Sequence, residues 1–239
     1  MKLDILAFAA HPDDTELSCS GTLAAHIDKG FKVGVVDLTR GELGTRGTPE
    51  IRESEAKASA SILGLSVREN LGLEDGFFQN DQHSQLALVR ALRTYKPDIL
   101  LANAVKDRHP DHGRGARLAV DATFLSGLAK VEVKDQNGEL LLPWRPKAVY
   151  HFIQSQFISP DFVVDVSQYW EIKMQAVRAF KSQFYDPDSE EPETFISSPE
   201  FMKMIEARGK ELGHSIGASY GEGFTVNRNI GVKDLFDLV

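Results

Sequence analysis

Leu3-Asp4-Ile5-Leu6-Ala7-Phe8-Ala9-Ala10-His11-Pro12-Asp13-Asp14-Thr15-Glu16 is the stretch on which the reading of the fold turns. Its first half is an apolar run, which predicts a buried strand with Pro12 as its stop. Its second half carries an imidazole and three carboxylates on a turn that opens a helix. Imidazole and carboxylate at i and i+3 on such a turn can converge on one divalent cation, and mixed nitrogen and oxygen ligands suit Zn²⁺ and its first-row neighbours. The adjacent pair Asp13-Asp14 goes beyond what a structural site needs. If Asp14 binds a metal, Asp13 must point elsewhere, where it is placed to act as a base on water. The competing reading is a plain strand-to-helix turn with Asp13 or Asp14 as N-cap.

Arg108-His109-Pro110-Asp111-His112 follows a second apolar run, Asp98-Ile99-Leu100-Leu101-Ala102, after a short gap. It supplies the third protein ligand that a catalytic zinc site has, leaving a fourth position open. The residues alone leave open which of His109 and His112 is the ligand. Taken singly, this cluster reads more readily as a polar turn. Two such clusters, each after an apolar strand, point instead to the crevice outside strand ends where open α/β sheets bind ligands. A metal, a carboxylate base and a histidine acid together make the parts list for hydrolysis of an amide or ester.

The 239 residues, 42% of them hydrophobic, suffice for one large α/β domain spanning 1–239. A net charge of −8 argues against nucleic-acid and anionic-membrane partners. No apolar run approaches the roughly 18 residues that span a bilayer, and the chain opens directly on strand-like sequence, so a cytoplasmic protein is expected. We also expect a homo-oligomer. The single cysteine, Cys19, sits in an apolar helical stretch and reads as a buried thiol.

Strand and helix patterns then alternate. Thr15 to about Lys29 reads as one helix with Gly30 at C′, and Val33 to Leu38 as a second buried strand. The exit loop Thr39 to Gly47, rich in glycine and charge, lies at the same sheet end as both clusters if the sheet is parallel. Thr48 and Pro49 start a helix that runs to Leu63-Gly64, with Arg52 in its first turn. A cation there opposes the helix dipole, so Arg52 is a candidate for a specific anionic or hydroxyl partner. An extended piece at 67–71, a helix from Ser84 to Tyr95 and a helix from Pro110 to Leu128 follow. Asn137-Gly138 marks a peripheral hairpin over 130–142. Strands at 147–153 and 162–166, a helix at 168–184 and a last helix from Ser198 to Leu212 complete the pattern. His151 reads as a packed histidine, the acidic segment 186–193 as a solvated loop or an active-site lid, and 217–223 as glycine-rich loop. His214, Tyr185 and Tyr220 are outlying candidates for the site. The fold class expected is a Rossmann-like three-layer α/β sandwich with a mostly parallel sheet.

The motifs AHPDDTE at 10–16 and HPDH at 109–112 resemble those of the LmbE/PIG-L family of zinc-dependent N-acetylglucosaminyl deacetylases. DLTRGELGTRGTPEIR from 37, RPKAVYHF from 145, PDFVVDVS from 160 and KSQFYDP from 181 resemble the branch that deacetylates N-acetylglucosaminyl-malate in bacillithiol biosynthesis. The resemblance implies a Rossmann-like fold and a small amino-sugar substrate. It implies His11, Asp14 and His112 as ligands of Zn²⁺ or another divalent first-row metal, and Asp13 as general base. It further implies His109 as acid or oxyanion stabiliser, Asp111 as the residue that orients a histidine, and Arg52 as a substrate contact. The hairpin and the acidic loop depart from the family pattern. Recognition of malate needs cations, and Arg46, Arg52 and Arg108 are the candidates near the strand ends. Other acetylated amino sugars are the alternative substrates. A Rossmann-type nucleotide-binding module would instead require G-x-G-x-x-G where this chain has AHPDDTE.

Overall fold

The computed structural model describes residues 1–237. A seven-stranded sheet of order β3-β2-β1-β4-β5-β7-β6 runs through the molecule. Its strands are β1 (Ile5–Ala9), β2 (Val33–Thr39), β3 (Val67–Leu73), β4 (Ile99–Ala102), β5 (Ala148–Phe152), β6 (Phe162–Asp165) and β7 (Gly221–Val226). Strands β1 to β5 pair in parallel, with Ile5 opposite both Val33 and Ile99, whereas β7 is antiparallel to β5 and β6. The chain leaves β1 toward β2 and β3, then returns to the other side of β1 for β4 and β5. The crevice between the ends of β1 and β4 is therefore the point where the strand order reverses, the position at which such sheets hold ligands. Both sequence clusters stand there.

The helices are α1 (Asp14–Ser18), α2 (Ser20–Asp28), α3 (Pro49–Leu63), α4 (Gln82–Tyr95), α5 (Pro110–Ser126), α6 (Trp170–Arg178) and α7 (Pro199–Ser215). Side chains of β1 alternate between two buried faces, as the strand period of two demands. Leu6 and Phe8 pack with Leu88, Leu92 and Leu118 of α4 and α5. Ile5 and Ala7 pack with Leu23 of α2 on the opposite face. A strand covered on both sides reads as an unbroken apolar run, and β1 is buried at all five positions. Thr48 caps α3 by accepting from the Ile51 amide at 3.3 Å, and Gly64 ends it at φ 75. No helix among the described residues is long and apolar enough to cross a membrane.

Three readings are corrected. The single helix expected from Thr15 to Lys29 is two, broken at Cys19 (φ −143, ψ 9). The opened backbone is satisfied by charges from elsewhere: Glu222 accepts from the Gly21 and Thr22 amides at 3.0 and 2.6 Å, and Lys173 donates to the Leu17 carbonyl at 2.9 Å. Lys173 and Glu222 pair at 2.6 Å. The segment expected as glycine-rich loop at 217–223 instead enters β7, inside the sheet. Its glycines serve close packing, since a Cβ at Gly221 would stand 2.8 Å from the Gly213 amide. The predicted helix at 168–184 ends as α6 at Arg178 and continues as turns. The hairpin expected at 130–142 is present, turning at Gly138 (φ 85) with an antiparallel bridge from Lys134 to Leu140 and the Leu141 amide donating to the Val133 carbonyl at 2.9 Å. Its base is held by the buried Arg93, whose guanidinium donates to the carbonyls of Ser126, Leu128, Val131 and Leu141.

Candidate active site

The turn after β1 separates the two adjacent carboxylates. Asp13 takes φ 118, a conformation that costs a non-glycine residue about 1–3 kcal/mol and is kept where the surroundings enforce it. Its carboxylate turns to Arg52, whose Nη2 donates to Oδ2 at 2.9 Å and also to the Pro12 carbonyl. Asp14 turns the other way, into the sheet-end crevice. The Asp13-Asp14 pair of the sequence is thus split between two tasks by one strained residue.

Asp14 lies between two imidazoles. Its Oδ2 is 3.6 Å from His11 Nδ1, and its Oδ1 is 3.1 Å from His112 Nε2. The outer nitrogen of each ring is held by carboxylates: His11 Nε2 by Asp75 at 3.0 Å and Asp111 at 3.3 Å, His112 Nδ1 by Asp107 at 2.6 Å. Such outer partners place the ring proton on the outer nitrogen and leave the inner one to accept. His109 caps α5, its Nδ1 accepting from the Asp111 amide at 3.3 Å, which leaves Nε2 as the nitrogen that carries a proton. One nitrogen from each of His11, His109 and His112 lies within 4.8 Å of the others.

Charge accounting tests whether this set fits a cation. Five carboxylates, Asp13, Asp14, Asp75, Asp107 and Asp111, surround the imidazoles, and two guanidiniums answer them: Arg52 on Asp13 and Arg114 on Asp111 at 2.6 Å. The remaining negative charge calls for protons or a cation. Protons follow that demand: burial lowers His11 and His112, but hydrogen bonds and charge from their aspartates outweigh it, holding His11 well above its usual range and His112 at about 9. Burial raises Asp14, yet His112 and His11 hold it well below the usual carboxylate range. Two inner imidazole nitrogens with a carboxylate between them form the donor set that a divalent first-row ion takes in place of those protons.

The other groups sit around this centre. Burial pushes the Asp13 carboxyl up to about 7 against the charge of Arg52. Burial and the two neighbouring imidazoles lower His109. The crevice opens into a cavity of about 530 Å³, walled by the 43–46 loop, the α6 and α7 side chains and the segment around Phe195.

All seven residues picked from the sequence are gathered here: His11, Asp13, Asp14, Arg52, His109, Asp111 and His112. His151 is packed, as expected, with Nδ1 on the Asn103 carbonyl at 2.8 Å. His214, Tyr185 and Tyr220 do not line the cavity; Tyr220 stacks on Trp170 with ring centroids 4.2 Å apart. Cys19 is buried, and burial raises its thiol. The acidic loop is held to the 43–47 loop, since Arg46 donates to Ser182, Ser189 and Pro192 and Gly47 to Glu191. It leads into Thr194, Phe195 and Ile196, which wall the cavity. Sequence reasoning missed Asp75, Asn103, Asp107 and Gln154. The available signal was position: each follows the end of β3, β4 or β5.

Residues 6–123 match the family model described as PIG-L, GlcNAc-PI de-N-acetylase. The diacetylchitobiose deacetylase of Thermococcus kodakarensis is 28% identical over 75% of this chain and 70% of its own. The 4-oxalmesaconate hydratase of Pseudomonas putida is 25% identical over 74% and 73%. The probable N-acetyl-alpha-D-glucosaminyl L-malate deacetylase 2 of Bacillus subtilis is 24% identical over 77% and 84%. Among solved structures, the conserved protein TT1542 of Thermus thermophilus superposes with a TM-score of 0.86 at 35% identity, covering 98% of both chains.

Proposed function

This chain belongs to the PIG-L family of de-N-acetylases, and from that premise we propose that it is a zinc hydrolase that removes the acetyl group from an N-acetylglucosaminide, with N-acetylglucosaminyl-malate as the substrate to test first. The observation that carries the reading is the convergence of His11 Nδ1 and His112 Nε2 on Asp14, beside an Asp13 that faces away from it onto Arg52. His11, Asp14 and His112 would hold the metal, which when bound lowers the pKa of water and polarises a carbonyl.

The chain's own groups then have separate tasks. Asp13, aimed by Arg52 and shifted upward by burial, takes a proton from the attacking water as its oxygen bonds to the acetamide carbon. His109, neutral with its proton on Nε2, donates a hydrogen bond to the carbonyl oxygen as negative charge builds there. The C–N bond breaks, the proton taken from water passes to the leaving nitrogen, and acetate and a free amine result. Asp75 and Asp111 keep His11 in one tautomer, and Asp107 does the same for His112.

The preference for malate rests on the resembling stretches and on a cation at the rim. Arg46 is engaged by the 182–192 segment and Arg52 by Asp13, while the Arg108 guanidinium lies 4.4 Å over the Phe195 ring at the cavity wall. Loss of one charge-assisted contact costs about 1.5–3 kcal/mol, or roughly a 10–100-fold change. Arg108→Ala should therefore raise KM for the malate glycoside by about that factor and leave KM for free N-acetylglucosamine unchanged. Equal shifts on both would remove the malate argument.

Acetate release from N-acetylglucosaminyl-malate, diacetylchitobiose and free N-acetylglucosamine, measured with bound metal before and after chelation, tests the whole reading. Acetate release that vanishes on chelation and returns with Zn²⁺ is the expected result. The hydratase relative gives a second reading, water addition to an unsaturated acid at the same centre. Absence of acetate from every acetamido sugar, with turnover of such an acid, would establish it instead.

A further inference from the structure

Two side-chain amides grip Asp14, and their orientation is fixed by backbone groups that leave no choice. The Ala10 amide donates to Asn103 Oδ1 at 2.8 Å, so Asn103 must present its Nδ2, and this donates to Asp14 Oδ2 at 2.9 Å. The Ala104 amide donates to Gln154 Oε1 at 3.1 Å, so Gln154 must present its Nε2, which donates to Asp14 Oδ1 at 2.9 Å. Asn103 Nδ2 also donates to Gln154 Oε1 at 3.0 Å, locking the two amides together. All three side chains are buried. Neither amide takes part in the proton transfers described above.

The lone pairs of Asp14 can be counted. A carboxylate offers about four acceptor sites. On Oδ2, Asn103 and the His11 amide (3.0 Å) fill both; on Oδ1, Gln154 fills one. The remaining acceptor site is therefore on Oδ1, where it faces His112 Nε2 at 3.1 Å and is the site a cation would take in place of the His112 proton. Gln154 Nε2 itself stands 3.4 Å from that imidazole nitrogen, so one amide borders two of the metal-holding residues.

We infer that Asn103 and Gln154 form an amide clamp that makes Asp14 a one-oxygen ligand, keeping the cation's coordination number low and a place open for water. The inference rests on the metal-site reading given above and adds two positioning residues to it. A bidentate carboxylate at this place would raise the coordination number and take up the open position; three protein donors leave it free. The clamp also joins the two halves of the switch point, because Ala10 follows β1, Asn103 follows β4 and Gln154 follows β5.

The test uses the full-length protein with Gln154→Met, and with Asn103→Ala in that background. Two readings are taken: the Zn²⁺ dissociation constant by chelator competition on the folded protein, and the visible absorption of the Co²⁺-loaded protein. Loss of a partner that orients a ligand typically weakens metal binding 10–100-fold, and that is the change expected in Kd. In the double variant the Co²⁺ band should weaken as Asp14 Oδ2 is released and the coordination number rises, a change that lower stability by itself does not produce. Should the double variant not fold, Gln154→Met alone carries the affinity test. Wild-type binding of Zn²⁺ with an unchanged Kd and Co²⁺ spectrum in the variants overturns the clamp. Failure of the wild type to bind metal at all overturns the metal-site reading itself, so the two failures are told apart.

Discussion

Asp13→Asn should lower kcat by about 10²–10⁴-fold, the range that a positioned proton acceptor contributes, while bound metal stays near one per chain. Asparagine is the informative replacement because it keeps the shape of the side chain and tolerates the left-handed backbone that Asp13 holds at φ 118. Its Oδ1 can still accept from Arg52 Nη2, so the guanidinium keeps a partner in place of the one it has now at 2.9 Å. Only the ability to take a proton is removed. KM should move little, which marks a group that acts in the transition state. Asp14→Ala is the companion measurement: it removes a carboxylate between two inner imidazole nitrogens and should lose the metal along with activity. A kcat for Asp13→Asn close to that of the wild type would show that another group takes the proton.

Arg68→Leu should destabilise the protein by about 3–5 kcal/mol, because it strands two buried carboxylates. The Arg68 guanidinium donates through Nε and Nη2 to both oxygens of Asp37, at 2.8 and 3.0 Å, and through Nη1 to Glu16 Oε1 at 2.5 Å. Glu16 and Asp37 are 0% and 2% exposed, so water cannot replace the lost partner. Burial raises the Glu16 carboxyl, but the charge of Arg68 with hydrogen bonds from Arg68, Ser59 and Thr15 outweighs it and keeps Glu16 below its ordinary value. For a chain of this size the loss corresponds to a Tm lower by roughly 6–20 °C. Replacing all three charges together, as Glu16→Gln, Arg68→Leu and Asp37→Asn, should recover part of that loss, since no unpaired charge then stays buried. A Tm unchanged in the single variant would mean that the two carboxylates find other partners. The network also bears on the site, because Glu16 lies two residues beyond Asp14 on α1.

Much of the fold was legible because local rules and the global fold agree. The β1 run is apolar at every position, which only a strand covered on both faces requires, and Thr48-Pro49 with Gly64 bounds α3 as cap chemistry dictates. Reading failed where side chains from remote segments changed what the backbone could do. Cys19 breaks a helix whose periodicity is continuous, because Glu222 and Lys173 satisfy the backbone groups the break exposes. Gly221 and Gly223 punctuate a sequence like a loop yet lie in β7, where missing side chains let α7 approach.

The same division holds for the site. His11, Asp13, Asp14, His109 and His112 could be picked out from sequence because the metal hydrolysis proposed for this site demands a few residue types at short spacing after a strand. That spacing is local and survives in one dimension. Asp75, Asn103, Asp107 and Gln154 belong to no motif, since an aspartate or an amide after a strand is ordinary until the strand order brings it beside an imidazole or a carboxylate. The choice between Asp13 and Asp14 as inward-facing carboxylate, the commitment of Arg52 to Asp13, and the number of oxygens Asp14 can offer were all decided by tertiary structure. Each depends on hydrogen-bond geometry between groups that the parallel sheet brings together from segments tens of residues apart.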